Sequence, residues 1–208
     1  MGRPTVSVIM NCLNGAPYLT EALTSVFAQT FTDWEVIFWD DHSTDCSAAI
    51  ARSFGEKVRY FRGPGGTPLG QARNLAFGQA EGRYLAILDC DDIWEASKVM
   101  RQVEFLEKYD DIGLLATDCW HIDAAGARHG THFGRFPFPD GDPYRALLTG
   151  RNFLASPTLM VRREFIRPFI SWFRYAELYA WCVAIAQLTQ IAALPQPLAS
   201  YRFHKGNR

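Results

Sequence analysis

Hydrophobic residues along this chain fall into two alternating patterns. Short unbroken apolar runs, rich in β-branched and aromatic residues, read as buried strands; longer stretches with apolar residues three and four apart read as helices with one buried face. The run Thr5-Val6-Ser7-Val8-Ile9-Met10 opens the series, and residues 34–39, 58–61, 84–88, 113–117 and 191–194 repeat it. Helical spacing appears between them, first at Tyr18, Leu19, Ala22, Leu23, Val26 and Phe27, then over residues 48–54 and 69–80. After Trp94 a further helix has Val99, Met100, Val103 and Leu106 inward and Lys98, Arg101, Glu104 and Lys108 outward. Residues 175–187 read as an apolar helix holding Glu177 near its start. Such β-α units predict an α/β fold with a mainly parallel central sheet flanked by helices on both faces.

The joints between these elements carry the polar residues. Asn11-Cys12-Leu13-Asn14-Gly15 turns the chain after the first strand, and the second ends in Asp40-Asp41-His42-Ser43-Thr44-Asp45, where Ser43, Thr44 or Asp45 can cap the next helix. Gly63-Pro64-Gly65-Gly66-Thr67-Pro68 is a loop long enough to close over a ligand, and Gly82 delivers the chain to the strand at 84–88. Residues 121–126 suggest a hairpin turn, and residues 128–143 show no period. His129 and His132 in that stretch are a candidate pair of metal ligands beside the plainer reading of exposed histidines.

A chain of 208 residues with 48% hydrophobic content can build one substantial core, so residues 1–208 are expected to form one domain. A formal net charge of −1 gives no electrostatic case for nucleic acid or an anionic membrane surface. No apolar run approaches the roughly 18 residues of a bilayer span, and no charged, apolar leader opens the chain. The expected location is cytoplasmic, at most peripheral on the cytoplasmic face of a membrane. Cys12, Cys46, Cys90, Cys119 and Cys182 lack Cys-x-x-Cys spacing, so neither a disulfide framework nor a zinc site is indicated and they read as small buried hydrophobes.

The stretch Tyr84-Leu85-Ala86-Ile87-Leu88-Asp89-Cys90-Asp91-Asp92-Ile93-Trp94 changes the picture most. It sets three carboxylates within four positions at a strand end, a costly grouping unless a cation sits among them. Carboxylate oxygens suit Mg²⁺ or Mn²⁺, and such ions commonly bind together with phosphate oxygens. Ligands of open α/β sheets gather beyond the carboxyl ends of the strands. The plainer alternative is an acidic turn in which Asp92 caps the following helix.

Several stretches in order resemble the inverting glycosyltransferases of family 2, which have the GT-A fold. The residues that carry the resemblance are 7–15, 25–35, Asp40-Asp41-His42-Ser43-Thr44-Asp45 against the family's Asp-Asp-Gly-Ser-Thr-Asp, Gly70-Gln71-Ala72-Arg73-Asn74, Leu88-Asp89-Cys90-Asp91-Asp92-Ile93-Trp94 and the closing Tyr201-Arg202-Phe203-His204. The resemblance implies a nucleotide-diphosphate sugar donor, with UDP the expected nucleotide, bound by residues 1–94, and an acceptor half at 95–208. It implies that Asn11 and Leu13 in the first loop lie against the base, with Asn14 beside them also nucleotide-binding, although the family more often has an aromatic at Leu13. Asp41 would accept a hydrogen bond from the base, Arg73 would neutralise the nucleotide side, and Asp91 would meet the ribose. Asp92, supported by Asp89 and joined by His204, would hold Mn²⁺ or Mg²⁺, which would stabilise the leaving diphosphate.

Inversion needs a base for the acceptor hydroxyl. The family usually supplies it as the Asp of a Glu-Asp pair at the start of a late helix. The corresponding stretch here is Tyr175-Ala176-Glu177-Leu178-Tyr179-Ala180-Trp181, so Leu178 replaces that Asp. Two expectations follow: Glu177, beside apolar Leu178, Tyr179 and Trp181, serves as the base, or the chain binds donor and metal as an impaired or non-catalytic homologue. An unrelated phosphoryl-transfer enzyme is disfavoured by the lack of a Gly-rich phosphate loop at a strand–helix junction. Family members often act on polysaccharide or lipid-linked acceptors, and the chain's own acceptor is not legible.

Overall fold

The computed structural model describes residues 2–171 and 176–205. In chain order, β1 (Val6–Cys12), α1 (Ala16–Phe27), β2 (Trp34–Asp40), α2 (Ser47–Ser53), β3 (Val58–Arg62), α3 (Leu69–Phe77) and β4 (Tyr84–Ile87) alternate as the apolar pattern requires. They pair in the order β3-β2-β1-β4, all parallel, and the helices between them make the crossovers that parallel neighbours need. Strand alternation divides the apolar side chains between two cores. Val6, Val8 and Met10 pack with Leu19, Leu23 and Val26 of α1 on one face, while Ile9 meets Ala72 and Ala76 of α3 on the other.

The second half adds β5 (Ile93–Trp94), α4 (Lys98–Lys108), β6 (Ile112–Ile122), β7 (Arg128–Thr131), α5 (His132–Arg135), α6 (Pro143–Leu148), β8 (Met160–Arg162), α7 (Glu177–Ala186) and β9 (Gln190–Arg202). The expected α/β architecture holds, and its parallel block ends at β4. There β8 inserts antiparallel to both β4 and β6, so the nine-stranded sheet is mixed and continues β8-β6-β9-β5, with β7 on β6. Trp181 of α7 closes the second core, stacked on Phe169 at 4.9 Å between ring centres.

Three expectations about elements need correction. The last strand does not stop at Leu194: β9 runs parallel to β6 for 13 residues, through Pro195 and Pro197, because the register shifts around Thr117, Asp118 and Cys119 absorb the prolines. Lys98 does not face solvent. It is fully buried, with Nζ donating to Gln102 Oε1 at 2.6 Å and lying 4.1 Å over the Trp94 ring, and burial pushes its pKa well below the usual lysine value. Residues 128–143, unreadable by period, hold β7 and α5 and reach the first residue of α6, because these elements are too short to show one.

Smaller differences follow the same logic. α3 ends at Phe77 rather than residue 80, and Tyr175, expected to begin the late helix, lies outside the described residues. The turn at 121–126 is a hairpin, closed by Asp123 N–H donating to Ala127 O at 3.0 Å. Of the cysteines, Cys12, Cys119 and Cys182 are buried, Cys90 is half-buried and Cys46 is exposed; all five are free thiols. Gly82 has a steric reason to be glycine, since a Cβ there would stand 2.5 Å from Ser7 N.

Candidate active site

The carboxyl ends of β1, β2 and β4 open on one cavity of about 830 Å³, a size that suits a nucleotide sugar. Leu13, Asp41, Arg73, Asp89, Glu177 and Leu178 line it, so residues spread over 166 positions of sequence meet there. They converge because parallel strands deliver their carboxyl ends to one edge of the sheet.

The loops after β1 and β2 are locked to each other. Asn14, at φ 56°, accepts from Thr44 N–H at 2.8 Å, and its own N–H donates to Ser43 Oγ. Its amide therefore holds the loops together, and Asn14, like Asn11, Asp91 and His204, is not among the residues that line the cavity. Asp45 joins the lock, accepting from Ala16 N–H at the start of α1 and from Ser47 N–H at the start of α2. His42 stands where the family pattern has glycine, and it adopts the left-handed φ of 69° that glycine would favour. Asp40 points inward to Ser43 N–H and Tyr60 Oη, leaving Asp41 for the cavity. One Asp41 oxygen accepts from Thr67 N–H at 2.9 Å, and the other is buried without a partner. Both amide atoms of Asn11 are likewise buried and unpartnered. Unsatisfied polar atoms in such positions are costly unless a ligand or water completes them, and that need fits a hydrogen-bonding base.

The three carboxylates after β4 separate into different environments. Asp89 accepts from Arg73 at 2.9 Å and 3.2 Å and from Ser156 Oγ. Asp91 faces His204, with Nε2 2.9 Å from Oδ2. Burial, then the charge of Asp89, raises the Asp91 pKa, and His204 partly opposes the rise. Asp92 departs from the plainer reading of a helix cap. It does not cap α4, which begins at Lys98, six residues on. It is fully buried, with one oxygen accepting from Arg202 N–H at 2.8 Å and the other without a partner, which leaves that oxygen, like those of Asp41 and Asn11, to be completed by a ligand, ion or water. Its pKa stands well above the usual carboxylate range, through burial and then repulsion from Asp89 and Asp91. Mutual repulsion of this kind is what a divalent cation relieves, and a carboxylate beside an imidazole is a donor set that suits Mn²⁺ better than Mg²⁺.

Arg73 is not a surface arginine. It is 2% exposed, and its guanidinium joins Asp89 on one side to Glu177 Oε1, at 3.4 Å, on the other. Both of its paired nitrogens are turned to protein carboxylates, which ties it to the acidic cluster and Glu177 rather than leaving it free for a nucleotide. Glu177 is the first residue of α7, and Leu178 beside it also lines the cavity. Thr67 of the loop after β3 and Tyr201 of the closing motif also line the cavity, as does Ser156, which carried no sequence signal because it sits in a short 3-10 turn, Ser156–Thr158, with no periodic pattern. His129 and His132 do not pair: His129 turns to Asp123 at 3.1 Å, and His132 meets His121.

Fold and cavity together define a GT-A-type glycosyltransferase fold, and comparison with known proteins agrees. The family model described as Glycosyl transferase family 2 matches residues 7–168. An uncharacterized glycosyltransferase of Nostoc sp. is 32% identical over 222 residues, covering 97% of this chain and 66% of that protein. WfgD of Escherichia coli, a UDP-Glc:alpha-D-GlcNAc-diphosphoundecaprenol beta-1,3-glucosyltransferase, is 28% identical over 195 residues, covering 91% of this chain and 72% of that one. The crystal structure of S. aureus TarS 1-349 in complex with UDP-GlcNAc superposes with a TM-score of 0.81 at 22% identity, over 98% of this chain and 60% of TarS 1-349. This chain belongs to glycosyltransferase family 2. It spans just under two thirds of the Nostoc relative and three fifths of the TarS structure.

Proposed function

We propose that this chain transfers a sugar from a nucleotide-diphosphate sugar to an acceptor hydroxyl, with inversion at the anomeric carbon and with a divalent metal. The observation that carries the reading is Arg73, which bridges Asp89 and Glu177 across the cavity. One buried guanidinium thereby fixes the distance between the acidic cluster and the carboxylate expected to act as base.

Asp41 and Asn11, with their unsatisfied atoms, take the nucleotide base, and Leu13, exposed at the cavity, packs against it. Asp91 and His204 hold Mn²⁺ or Mg²⁺, with Asp89 behind them. The bound metal supplies charge stabilisation to the departing diphosphate. Glu177 Oε atoms accept the proton of the acceptor hydroxyl as it attacks from the opposite face, and Arg73 keeps that carboxylate in position. UDP-sugars are the first donors to try, because TarS 1-349 is described in complex with UDP-GlcNAc. WfgD is named for transfer to a diphosphoundecaprenol-linked GlcNAc, which supports a lipid-linked or polysaccharide acceptor here. No helix among the described residues is long and apolar enough to cross a membrane.

The test is calorimetric titration of nucleotide diphosphates and their sugars with Mn²⁺, with Mg²⁺ and with chelator, followed by transfer assays. One nucleotide should bind in a metal-dependent way. Glu177→Gln should keep that binding and lose transfer by about 10²–10⁴-fold. Transfer retained in Glu177→Gln would remove this residue from the mechanism, and no binding of any nucleotide would remove the donor site.

A further inference from the structure

β6 and α5 bring together a second group of metal-binding side chains, apart from the acidic cluster. Cys119 and His121 stand two residues apart on β6, so they project to one face of the sheet. His132 opens α5 opposite them. One ligand atom from each lies within 4.8 Å of the others. All three are buried, with Cys119 at 0%, His121 at 7% and His132 at 8% exposure.

We propose that Cys119, His121 and His132 form a site for a borderline transition metal, best matched by Zn²⁺, with the fourth position left to water. Thiolate and imidazole are the donors that Zn²⁺ prefers and Mg²⁺ does not. His121 Nε2 and His132 Nδ1 are 3.1 Å apart, close to the roughly 3.4 Å edge of a tetrahedron built on Zn–N bonds of about 2.05 Å. Two neutral imidazoles can place only one proton between them, so a metal replaces a hydrogen bond and strands no donor pair. Burial lowers the His132 pKa and raises that of the Cys119 thiol, so the imidazole is neutral and the ion has to displace the thiol's proton. His132 Nε2 has no hydrogen bond of good geometry, while the Phe153 carbonyl is near enough to favour a proton on the ring. Metal-bound histidines commonly turn their second N–H to such a carbonyl.

Charge and packing around the group agree with a cation. Asp118 Oδ1 accepts from Cys119 N–H and Phe133 N–H, each at 2.8 Å, tying β6 to α5 and setting a carboxylate beside the ligands. Thiolate and carboxylate together balance a divalent ion, against the opposing charge of Arg135. Phe203 and Phe136 pack on the two imidazoles at 5.0 Å and 5.1 Å and hold the rings in place, while His121 and Phe203 also line a surface pocket through which water can reach the fourth position. On binding, the Cys119 S–H bond is replaced by S–Zn and its proton leaves to solvent. The proton between the imidazoles moves to the far nitrogen of its own ring. Since His132 also lines the donor cavity, the ion would clamp α5 against β6 and fix that wall.

The chain, stripped with chelator, is titrated with Co²⁺ and followed by absorption. We expect one equivalent to give a thiolate-to-metal charge-transfer band with tetrahedral d–d bands, displaced by Zn²⁺ and not by excess Mg²⁺, and Zn²⁺ to raise the thermal midpoint. Cys119→Ser should abolish the band. His121→Gln and His132→Gln should each weaken binding about tenfold or more with the fold retained by circular dichroism, and Asp91→Asn should leave the band in place. Absence of the band, its survival in Cys119→Ser, or its loss in Asp91→Asn would overturn the site. Unweakened binding in both histidine variants would do the same.

Discussion

His204 Nε2 lies 2.9 Å from Asp91 Oδ2, joining residues 113 positions apart. β9 makes the contact by running past its prolines to the acidic cluster, where Arg202 N–H binds Asp92 and Arg202 Nε binds the Asp91 carbonyl. The half-buried pair is therefore Asp91 and His204, and Asp92 is the fully buried carboxylate beside it. His204→Ala and Asp91→Asn should each weaken Mn²⁺-dependent donor binding by about tenfold or more. Asp92→Asn keeps an acceptor for Arg202 N–H and should change that affinity by less than about threefold, a difference within roughly 0.6 kcal/mol. Isothermal titration of the three variants decides; a larger loss in Asp92→Asn than in Asp91→Asn would return the metal to Asp92.

Leu178 occupies the place of the family's usual aspartate, and its side chain lines the cavity one residue from Glu177. If Glu177 is the base, a carboxylate at 178 adds a second negative charge near Arg73 without adding a needed group. Leu178→Asp should then leave the transfer rate unchanged or lower it. Single-turnover assays of this variant beside Glu177→Gln measure it directly, and a gain of about tenfold or more would mark position 178 as an unfilled base seat.

The first half of the fold was legible because each strand there is a complete apolar run and each crossover helix carries its own period. Asp41, Asp89 and Arg73 could be placed on one edge from sequence because parallel topology sends strand ends to the same side. What could not be read depends on pairings made by the second half. Pro195 and Pro197 look like a strand terminator until β6 supplies a partner whose register shifts at the same point. Lys98 has the spacing of an outward residue, and only the packing of Trp94 and Gln102 turns it inward. Asp92 is indistinguishable from Asp91 in sequence, since only Arg202, 110 residues away, decides which carboxylate is buried. The Cys119–His121–His132 group was hidden for the same reason: Cys-x-His on one strand gains its third member from a stretch with no period.

Gly82 offers a stability test away from the cavity. Its N–H donates to Ser7 Oγ at 2.8 Å, and Ser7 Oγ in turn donates to Glu35 at 2.6 Å, so β1, β2 and the entry to β4 meet at this point. A methyl group on residue 82 would fall 2.5 Å from Ser7 N and 2.7 Å from Val6 C, both backbone atoms that cannot rotate away. Gly82→Ala should therefore destabilise the chain by about 1–3 kcal/mol, read as a lower urea midpoint with an unchanged slope. A midpoint equal to that of the parent would mean that the start of β4 yields more easily than this packing implies.

Tyr60 sets the alkaline limit of the same sheet edge. Its hydroxyl donates to Asp40 Oδ2, and its ring stacks on Phe38 at 5.9 Å. Burial, then the hydrogen bond to Asp40 and its charge, pushes the phenol from 10.0 up to about 12, with Arg52 and Arg62 opposing. The folded chain thus holds this proton more tightly than the unfolded chain. Its contribution to stability is fully present below about pH 10 and is lost as the pH rises through about 12. Tyr60→Phe removes the hydrogen bond and should cost about 1–2 kcal/mol near neutral pH. It should also flatten the loss of stability across the alkaline window, so that variant and parent converge there. Urea unfolding near neutral pH and at about pH 11 compares the two; parallel losses in both chains would show that a different group titrates in this window.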